Sequence, residues 1–177
     1  MKFTETSVSG AYLVEPEPRG DDRGFFARLW CQDEFAAHGL TAEFVQCNDS
    51  FSARRGTLRG LHYQAAPYAE VKLVRCVRGS VFDVLVDLRP ESPTYKRWFG
   101  AELTAKNRQM LYVPEGCAHG YLTLEDESEV VYPVSRPYHP EAERGIRWND
   151  PQFGIAWPEA GSLTMSPKDE RWPDYRP

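Results

Sequence analysis

The sequence lacks the features that mark several common classes of protein. Its 177 residues contain no apolar run near the ~18 residues that a membrane span needs. The first ten residues have neither the basic region nor the apolar core of a signal peptide. The formal net charge is −5, which argues against a protein that coats nucleic acid. We therefore expect a cytoplasmic protein with no membrane or nucleic-acid partner.

Cysteine and histidine are also scarce, with four residues of each type. The cysteines show no CxxC spacing, and an intracellular protein keeps its thiols reduced. Many small β-barrels bind a metal through a His-x-His pair, because side chains two positions apart on a strand share a face. The chain has no such pair, so we expect no metal.

Turn-forming and aromatic residues are plentiful. The chain has 13 glycines, 14 prolines and 13% aromatic residues, a composition typical of many short strands. The run 81–88 is almost wholly apolar, as expected for a strand buried on both faces. Strands are predicted at 12–14, 24–30, 44–51, 57–64, 70–77, 81–88, 98–103, 110–113, 118–124 and 130–134.

One helix is predicted from about residue 33 to 38, with Phe35 and Ala36 facing the core and Gly39 ending it. After Pro137 we expect loops and short helical turns. Roughly ten short strands between turn residues predict an all-β protein, a jelly-roll sandwich or barrel. Because the chain contains no repeat or linker, a single domain over residues 1–177 is expected.

Two of the four histidines, His62 and His119, lie inside predicted strands. A strand histidine is more often a satisfied core or surface residue, but one at a barrel mouth can act as a general base. Proton transfer would also use an acid such as Tyr132 and a cation such as Lys72 to stabilise an enolate oxygen. Asp169 is a candidate for orienting the base. Spacing alone does not bring these residues together.

Basic residues cluster in this acidic chain. Arg54, Arg55 and Arg59 lie within six positions, and Arg23 precedes Gly24. Such a cluster is usually a solvated surface, whereas an arginine that points into a barrel needs an anion, and its planar fork matches a phosphate. The spacing leaves both interpretations open.

Longer motifs narrow the interpretation. They are DRGFF (22–26), FVQ with Asn48 (44–48), GTLRGLHYQ (56–64), KLVRC (72–76), DVLVDLR with SPT (83–94), VPEG with AHG (113–120), WNDP (148–151) and Ser166 with KD (166–169). In this order, over about residues 10–170, the chain resembles the dTDP-4-dehydrorhamnose 3,5-epimerase family. Blocks of six or more residues make a chance match implausible.

The resemblance implies a cupin-like jelly roll, a homodimer whose sheets share strands, and no metal or organic cofactor. The implied substrate is dTDP-4-dehydro-6-deoxy-glucose, which is inverted at C3 and C5 to dTDP-4-dehydro-L-rhamnose. Protons next to the C4 ketone are acidic enough to be removed when the enolate is stabilised. This isomerase chemistry therefore requires no metal.

The same resemblance implies roles for individual residues. His62 is the implied base, oriented by Asp169, and Tyr132 is the implied acid on the other face of the sugar. Lys72 supports the C4 oxyanion, with His119 nearby. The implied substrate-binding residues are Arg23 and Arg59 at the diphosphate, Tyr138 stacked on the thymine, and Gln46, Asn48, Glu143 and Lys168 elsewhere in the pocket.

Two residues depart from the family pattern. Arg28 stands where relatives commonly have Glu, and Cys47 stands where they commonly have Asp, both in parts of the pattern expected to face the ligand. These departures leave alternatives open. The enzyme could invert C3 or C5 only, or act on another nucleotide 4-keto sugar, and a non-catalytic sugar-binding barrel is a more distant alternative.

Overall fold

The computed structural model describes residues 1–41 and 43–177 and places most strands in two antiparallel sheets. The six-stranded sheet has the order β1-β2-β10-β7-β12-β5, formed by Lys2–Glu5 (β1), Tyr12–Glu15 (β2), Met110–Val113 (β10), Lys72–Arg78 (β7), Ser128–Val134 (β12) and Gln46–Ser52 (β5). The five-stranded sheet has the order β13-β6-β11-β8-β9, formed by Glu143–Gly145 (β13), Leu58–Gln64 (β6), Cys117–Thr123 (β11), Ser80–Asp87 (β8) and Trp98–Thr104 (β9).

Among the described residues, a hairpin, one helix and two 3-10 turns lie outside these sheets. A hairpin pairs Arg19–Asp21 (β3) with Gly24–Phe26 (β4). The helix α1 spans Gln32–Ala37, and 3-10 turns form at Pro140–Ala142 and Asp169–Arg171. Among the described residues, no helix is long and apolar enough to cross a membrane.

The two sheets pack on a shared apolar core, because each strand turns alternate side chains inward. Val74 and Cys76 of β7 cluster with Leu85 of β8 and Leu103 of β9, and all four are fully buried. Burying a valine or leucine side chain contributes ~1.5–3 kcal/mol. This core holds the sheets in place around a neighbouring region where β6, β7, β11 and β12 turn polar side chains inward.

Two glycines let β6 and β11 approach each other closely. A Cβ on Gly60, whose φ is 133°, would lie 2.6 Å from the Cα of Gly120, and a Cβ on Gly120 would lie 2.5 Å from the backbone oxygen of Arg59. Larger residues would push the strands apart. The register pairs His119 with His62, so the glycines set the two strand histidines side by side.

The all-β prediction is confirmed, and every predicted strand overlaps an observed one. The predicted strand 24–30 ends at Phe26, since its partner β3 has only three residues. Phe35 is buried as predicted, but the prediction that Ala36 faces the core is wrong. A helix of six residues turns only a narrow face inward, and Phe35 occupies it. The short strands β1, β3 and β13 escape prediction because they lack an alternating apolar pattern.

Candidate active site

The space between the two sheets opens into adjoining cavities of about 240 and 300 Å³. The five-stranded sheet supplies His62 and His119, and the six-stranded sheet supplies Lys72 and Tyr132. Eleven of the twelve residues predicted for the site line these cavities. They are Gln46, Asn48, Arg59, His62, Lys72, His119, Tyr132, Tyr138, Glu143, Lys168 and Asp169.

His62 forms a dyad with Asp169, which begins a 3-10 turn 107 residues later in the chain. Nε2 of His62 lies 2.5 Å from Oδ1 of Asp169. Burial alone would raise the pKa of Asp169, but the hydrogen bond and charge of His62 outweigh it and lower that pKa. An ionised carboxylate only accepts hydrogen bonds, so Nε2 carries a proton and Nδ1 is left as the basic nitrogen.

Trp172 and Gly145 support this dyad. The indole of Trp172 stands edge-on to the His62 ring, with the ring centroids 6.2 Å apart. Gly145 pairs with His62 in register, and a Cβ on Gly145 would lie 2.2 Å from the Trp172 indole. Only glycine leaves room for Trp172, and the packed indole restricts rotation of His62.

His119 is anchored from behind by Asp83. Nε2 of His119 lies 2.9 Å from Oδ1 of Asp83, and the Asp83 side chain is fully buried. The second oxygen of Asp83 has no partner among the described residues. Because the carboxylate accepts a hydrogen bond from Nε2, the other ring nitrogen of His119 is free to contact a ligand in the cavity.

Lys72 places a cation in the cavity wall. Its Nζ lies 3.3 Å from the backbone oxygen of His62 and 3.4 Å from Oε1 of Glu70, and the side chain is only 9% exposed. A buried ammonium group requires such partners. An ammonium that also faces a cavity can stabilise an oxyanion, which is what an enolate presents.

Tyr132 lines the cavity from the sheet opposite His62. Burial raises the pKa of the Tyr132 phenol to about 12, and the nearby Tyr121 and Glu70 add to the effect. The hydroxyl therefore keeps its proton at neutral pH. This state suits a proton donor rather than a base.

The mouth of the site combines an exposed ring with cations. Tyr138 is 52% exposed, and its hydroxyl donates to Oε2 of Glu143 over 2.7 Å. Burial alone would raise the pKa of Glu143, but its bonds from Lys168 and Tyr138 lower it. Arg59 is exposed and donates to the backbone oxygen of Phe51 over 2.9 Å. A flat ring can stack on a nucleobase, and the two cations suit a phosphate.

Arg23 and Arg28 lie elsewhere in the chain. Arg23 belongs to the β3–β4 hairpin, where its side chain is 90% exposed and pairs with Asp21. Arg28 pairs with Glu34 and lines a separate cavity beside helix α1. Within one chain, therefore, neither arginine reaches the cavities around His62.

Cys47 also lies outside the site. On β5 the side chains alternate, and Gln46 and Asn48 take the inner face while Cys47 is exposed on the outer face. The expectation that Cys47 faces the ligand is therefore wrong for this chain. This residue removes no hydrogen-bond acceptor from the cavity.

The cavities also contain residues that the sequence does not assign to the site. Glu70 could have been found, since it precedes Lys72 by two positions and side chains at that spacing share a face. Ser166 accepts a hydrogen bond from the backbone amide of Asp169 over 3.1 Å, a contact that no strand pattern predicts. The unassigned lining residues are Ser50, Tyr63, Gln64, Glu70, Gly120, Tyr121 and Ser166.

Together these groups suit proton transfer at carbon. A base supported by a carboxylate lies on one sheet, a protonated phenol lies on the other, and a cation lines the same cavity. Such a set can remove a proton from one face of a carbon acid, hold the enolate and return a proton to the other face. Across residues 1–41 and 43–177, no group of three or more His, Cys, Asp or Glu residues could hold a metal ion.

Comparison with known proteins agrees with this chemistry. The family model described as dTDP-4-dehydrorhamnose 3,5-epimerase matches residues 5–176. A curated relative of that name from Escherichia coli strain K12 is 46% identical over 172 residues, which is 97% of this chain and 92% of the relative.

Two solved structures are similar over almost the whole chain. The crystal structure of dTDP-4-dehydrorhamnose 3,5-epimerase from Bacillus anthracis, with TDP and PPi bound, has a TM-score of 0.94 at 43% identity and covers 98% of this chain and 99% of that one. A dTDP-6-deoxy-D-glucose-3,5-epimerase from Legionella pneumophila, in complex with dTDP-4-keto-L-rhamnose, has a TM-score of 0.92 at 38% identity, with coverages of 98% and 92%. The jelly-roll prediction is confirmed, and the chain belongs to the dTDP-4-dehydrorhamnose 3,5-epimerase family.

Proposed function

We propose that this protein inverts C3 and C5 of dTDP-4-dehydro-6-deoxy-glucose to give dTDP-4-dehydro-L-rhamnose. The observation that carries the proposal is the position of His62 and Tyr132 on opposing sheets of one cavity. Inversion at carbon needs a base on one face and an acid on the other, and a protein that only binds a sugar needs neither.

Proton removal falls to His62. Its Nδ1 takes the proton from the carbon next to the C4 ketone, and the imidazolium that forms is stabilised by Asp169. The electron pair from the broken C–H bond moves to the C4 oxygen. Lys72 stabilises that enolate oxygen by charge and hydrogen bonding, with His119 nearby.

Inversion is completed by Tyr132. The enolate carbon is planar, so a proton delivered from the Tyr132 side produces the opposite configuration from the one that His62 removed. The same pair then acts at the second carbon next to the ketone, after proton exchange with solvent restores both groups. The Cys47 and Arg28 departures leave this set of groups unchanged.

The nucleotide occupies the mouth of the site. Tyr138 stacks on the thymine, and Arg59 and Lys168 meet the diphosphate. Gln46 and Asn48 project from β5 into the cavity. Nε2 of Gln46 donates a hydrogen bond to Oδ1 of Asn48 over 2.8 Å, so the two side chains present a fixed pair of polar groups. Support for a thymidine nucleotide also comes from the B. anthracis and L. pneumophila structures, which hold TDP and a dTDP sugar.

Heavy water gives the direct test. When the protein is incubated with dTDP-4-dehydro-6-deoxy-glucose in D₂O, we expect proton NMR to show loss of both the C3 and the C5 signals. Each removed proton enters solvent and is replaced by deuterium, so the C3 and C5 signals report proton removal at the two carbons independently.

The other outcomes discriminate between the alternatives. Loss of one signal alone would identify an epimerase of a single centre. No loss at either carbon, with dTDP still bound, would contradict the proposal and favour a different 4-keto sugar or a binding protein.

We further propose that the protein works as a homodimer in which the β3–β4 hairpin reaches the partner's site. Phe25 and Phe26 on this hairpin are 52% and 74% exposed, which is unusual for large apolar side chains on a strand pair. Covering them with a second copy would remove this apolar surface from water. It would also give Arg23 a route to the diphosphate that it lacks within its own chain.

The assembly can be measured in solution. Sedimentation equilibrium is expected to give twice the chain mass of 20.3 kDa. A Phe26→Asp variant is expected to shift the population toward the monomer, because a charge would be buried in the interface. A wild-type protein that sediments as a monomer at working concentration would contradict the homodimer.

A further inference from the structure

Gln64, Glu70 and Lys72 form a largely buried polar cluster in the cavity wall, and the mechanism above uses only Lys72. Gln64 is 4% exposed, and the side chains of Glu70 and Lys72 are 12% and 9% exposed. Buried polar groups are costly unless they are paired, so a cluster at this depth is held by specific contacts.

Glu70 joins two different partners. Its Oε1 faces Nζ of Lys72 at 3.4 Å, and its Oε2 accepts a hydrogen bond from Nε2 of Gln64 at 3.0 Å. Both carboxylate oxygens are therefore engaged, one by a cation and one by an amide. The backbone oxygen of His62, 3.3 Å from Nζ, is a second acceptor for Lys72. Two acceptors, one on β6 and one in the segment just before β7, thus fix the position of one ammonium group.

Gln64 connects this ion pair to the nucleotide end of the site. Its Nε2 also lies 3.0 Å from the backbone oxygen of Tyr68 and 3.2 Å from that of Pro137. Its Oε1 accepts a hydrogen bond from the backbone amide of His139 over 2.6 Å. Because Pro137 and His139 flank Tyr138, the Gln64 amide ties down both sides of the residue that stacks on the thymine.

We infer that Glu70 and Gln64 are positioning residues, with Glu70 holding the Lys72 ammonium at the C4 oxygen and Gln64 holding Glu70 together with the Tyr138 loop. The two residues act at different points. Loss of the Glu70 charge loosens Lys72 but leaves the bonds from Gln64 to the Tyr138 loop in place, whereas loss of the Gln64 amide releases both Glu70 and the loop. This inference rests on the proposed function for its kinetic consequence and on the ion pair itself for its structural one.

The kinetic test compares Glu70→Gln with a matched Glu91→Gln control. Glu91 is exposed on the turn after β8, so the control removes a carboxylate outside the site. A hydrogen bond to a charged group is worth about ten- to a hundredfold in rate when it acts in the transition state. We expect Glu70→Gln to lower kcat by that factor with KM and dTDP affinity within about twofold, and Glu91→Gln to match the wild type.

Gln64→Leu supplies the contrasting pattern. In this variant both kcat and dTDP affinity are expected to fall, because the Tyr138 loop loses its anchor as well. Wild-type kcat in Glu70→Gln would overturn the inference. Equal losses of kcat and dTDP affinity in Glu70→Gln, accompanied by a lower Tm, would also overturn it, since they would indicate a structural role only.

A measurement without turnover separates this inference from the proposed function. An ammonium held by two acceptors exchanges its protons slowly, so the Nζ signal of Lys72 is expected in the nitrogen-proton NMR spectrum of the wild type, assigned by its absence in Lys72→Met. Its loss in Glu70→Gln supports the role of Glu70 even if the protein turns over no substrate. Persistence of the same signal in Glu70→Gln would contradict it.

Discussion

The His62→Ala variant is expected to release the C3 and C5 protons of the substrate about 10²–10⁴-fold more slowly than the wild type, the range that a general base contributes. Nδ1 of His62 is the basic nitrogen of the dyad, because Asp169 holds the proton on Nε2. With the imidazole absent, no group in the same position can take the proton. Exchange into D₂O, followed by proton NMR, measures the rate at each carbon separately.

Two further variants separate chemistry from folding. His62→Ala leaves the buried Asp169 carboxylate without its partner, which costs about 1–3 kcal/mol of stability. His62→Gln keeps an N–H group near Asp169 and lacks the base, so it should be better folded and equally slow. His38→Ala is the control, since His38 stacks on Phe3 at the end of helix α1. Near wild-type exchange in both His62 variants would remove His62 from the mechanism.

The sequence predicts those strands in which burial determines which positions are apolar. The run 81–88 is apolar apart from Asp83 and Asp87 because β8 is covered on both faces, and every residue of β8 is buried except the partly exposed Phe82. Strand β13 is different, for it reads Glu143, Arg144, Gly145 and exists because it pairs with β6. A strand held by backbone pairing alone leaves no apolar period to detect.

The same distinction applies to the residues of the candidate site. Alternation along β5 is enough to place Gln46 and Asn48 on one face and Cys47 on the other, and the structure agrees. The contact between His62 and Asp169 could not be derived in this way, since 107 residues separate them and a 3-10 turn sets the carboxylate. The family resemblance supplied that pair, and the comparisons confirm the family while the individual roles stay predictions.

The role of Arg23 could not be derived from the sequence for a different reason. Its hairpin projects from the chain, so neither spacing nor burial within one copy relates Arg23 to His62. The homodimer, the role of Arg23 and the cytoplasmic location all remain predictions. A residue that acts across an interface makes no contact with the site in its own copy of the chain, so a pattern in the sequence cannot reveal its role.

The Tyr132→Phe variant is expected to separate proton removal from inversion. His62 can still take the proton, so deuterium should enter the sugar at a rate close to that of the wild type. The phenol that delivers a proton to the other face is missing, and formation of inverted product should fall about 10²–10⁴-fold. His62 then returns deuterium to the face from which it removed the proton, and the expected product is labelled starting material.

Because the Tyr132 hydroxyl stays protonated, the ratio of inversion to exchange can be measured over a wide pH range. Because burial raises the pKa of Tyr132 to about 12, the hydroxyl stays protonated from about pH 7 to about pH 10 and ionises only as the pH rises through the raised value. The ratio of inversion to exchange in the wild type should therefore be constant across that range. Tyr12→Phe, on β2 at the other end of the six-stranded sheet, is the control and should keep the wild-type ratio. If exchange and inversion fell by the same factor in Tyr132→Phe, the phenol would be acting before the enolate forms, and the donor to the opposite face would have to be another group.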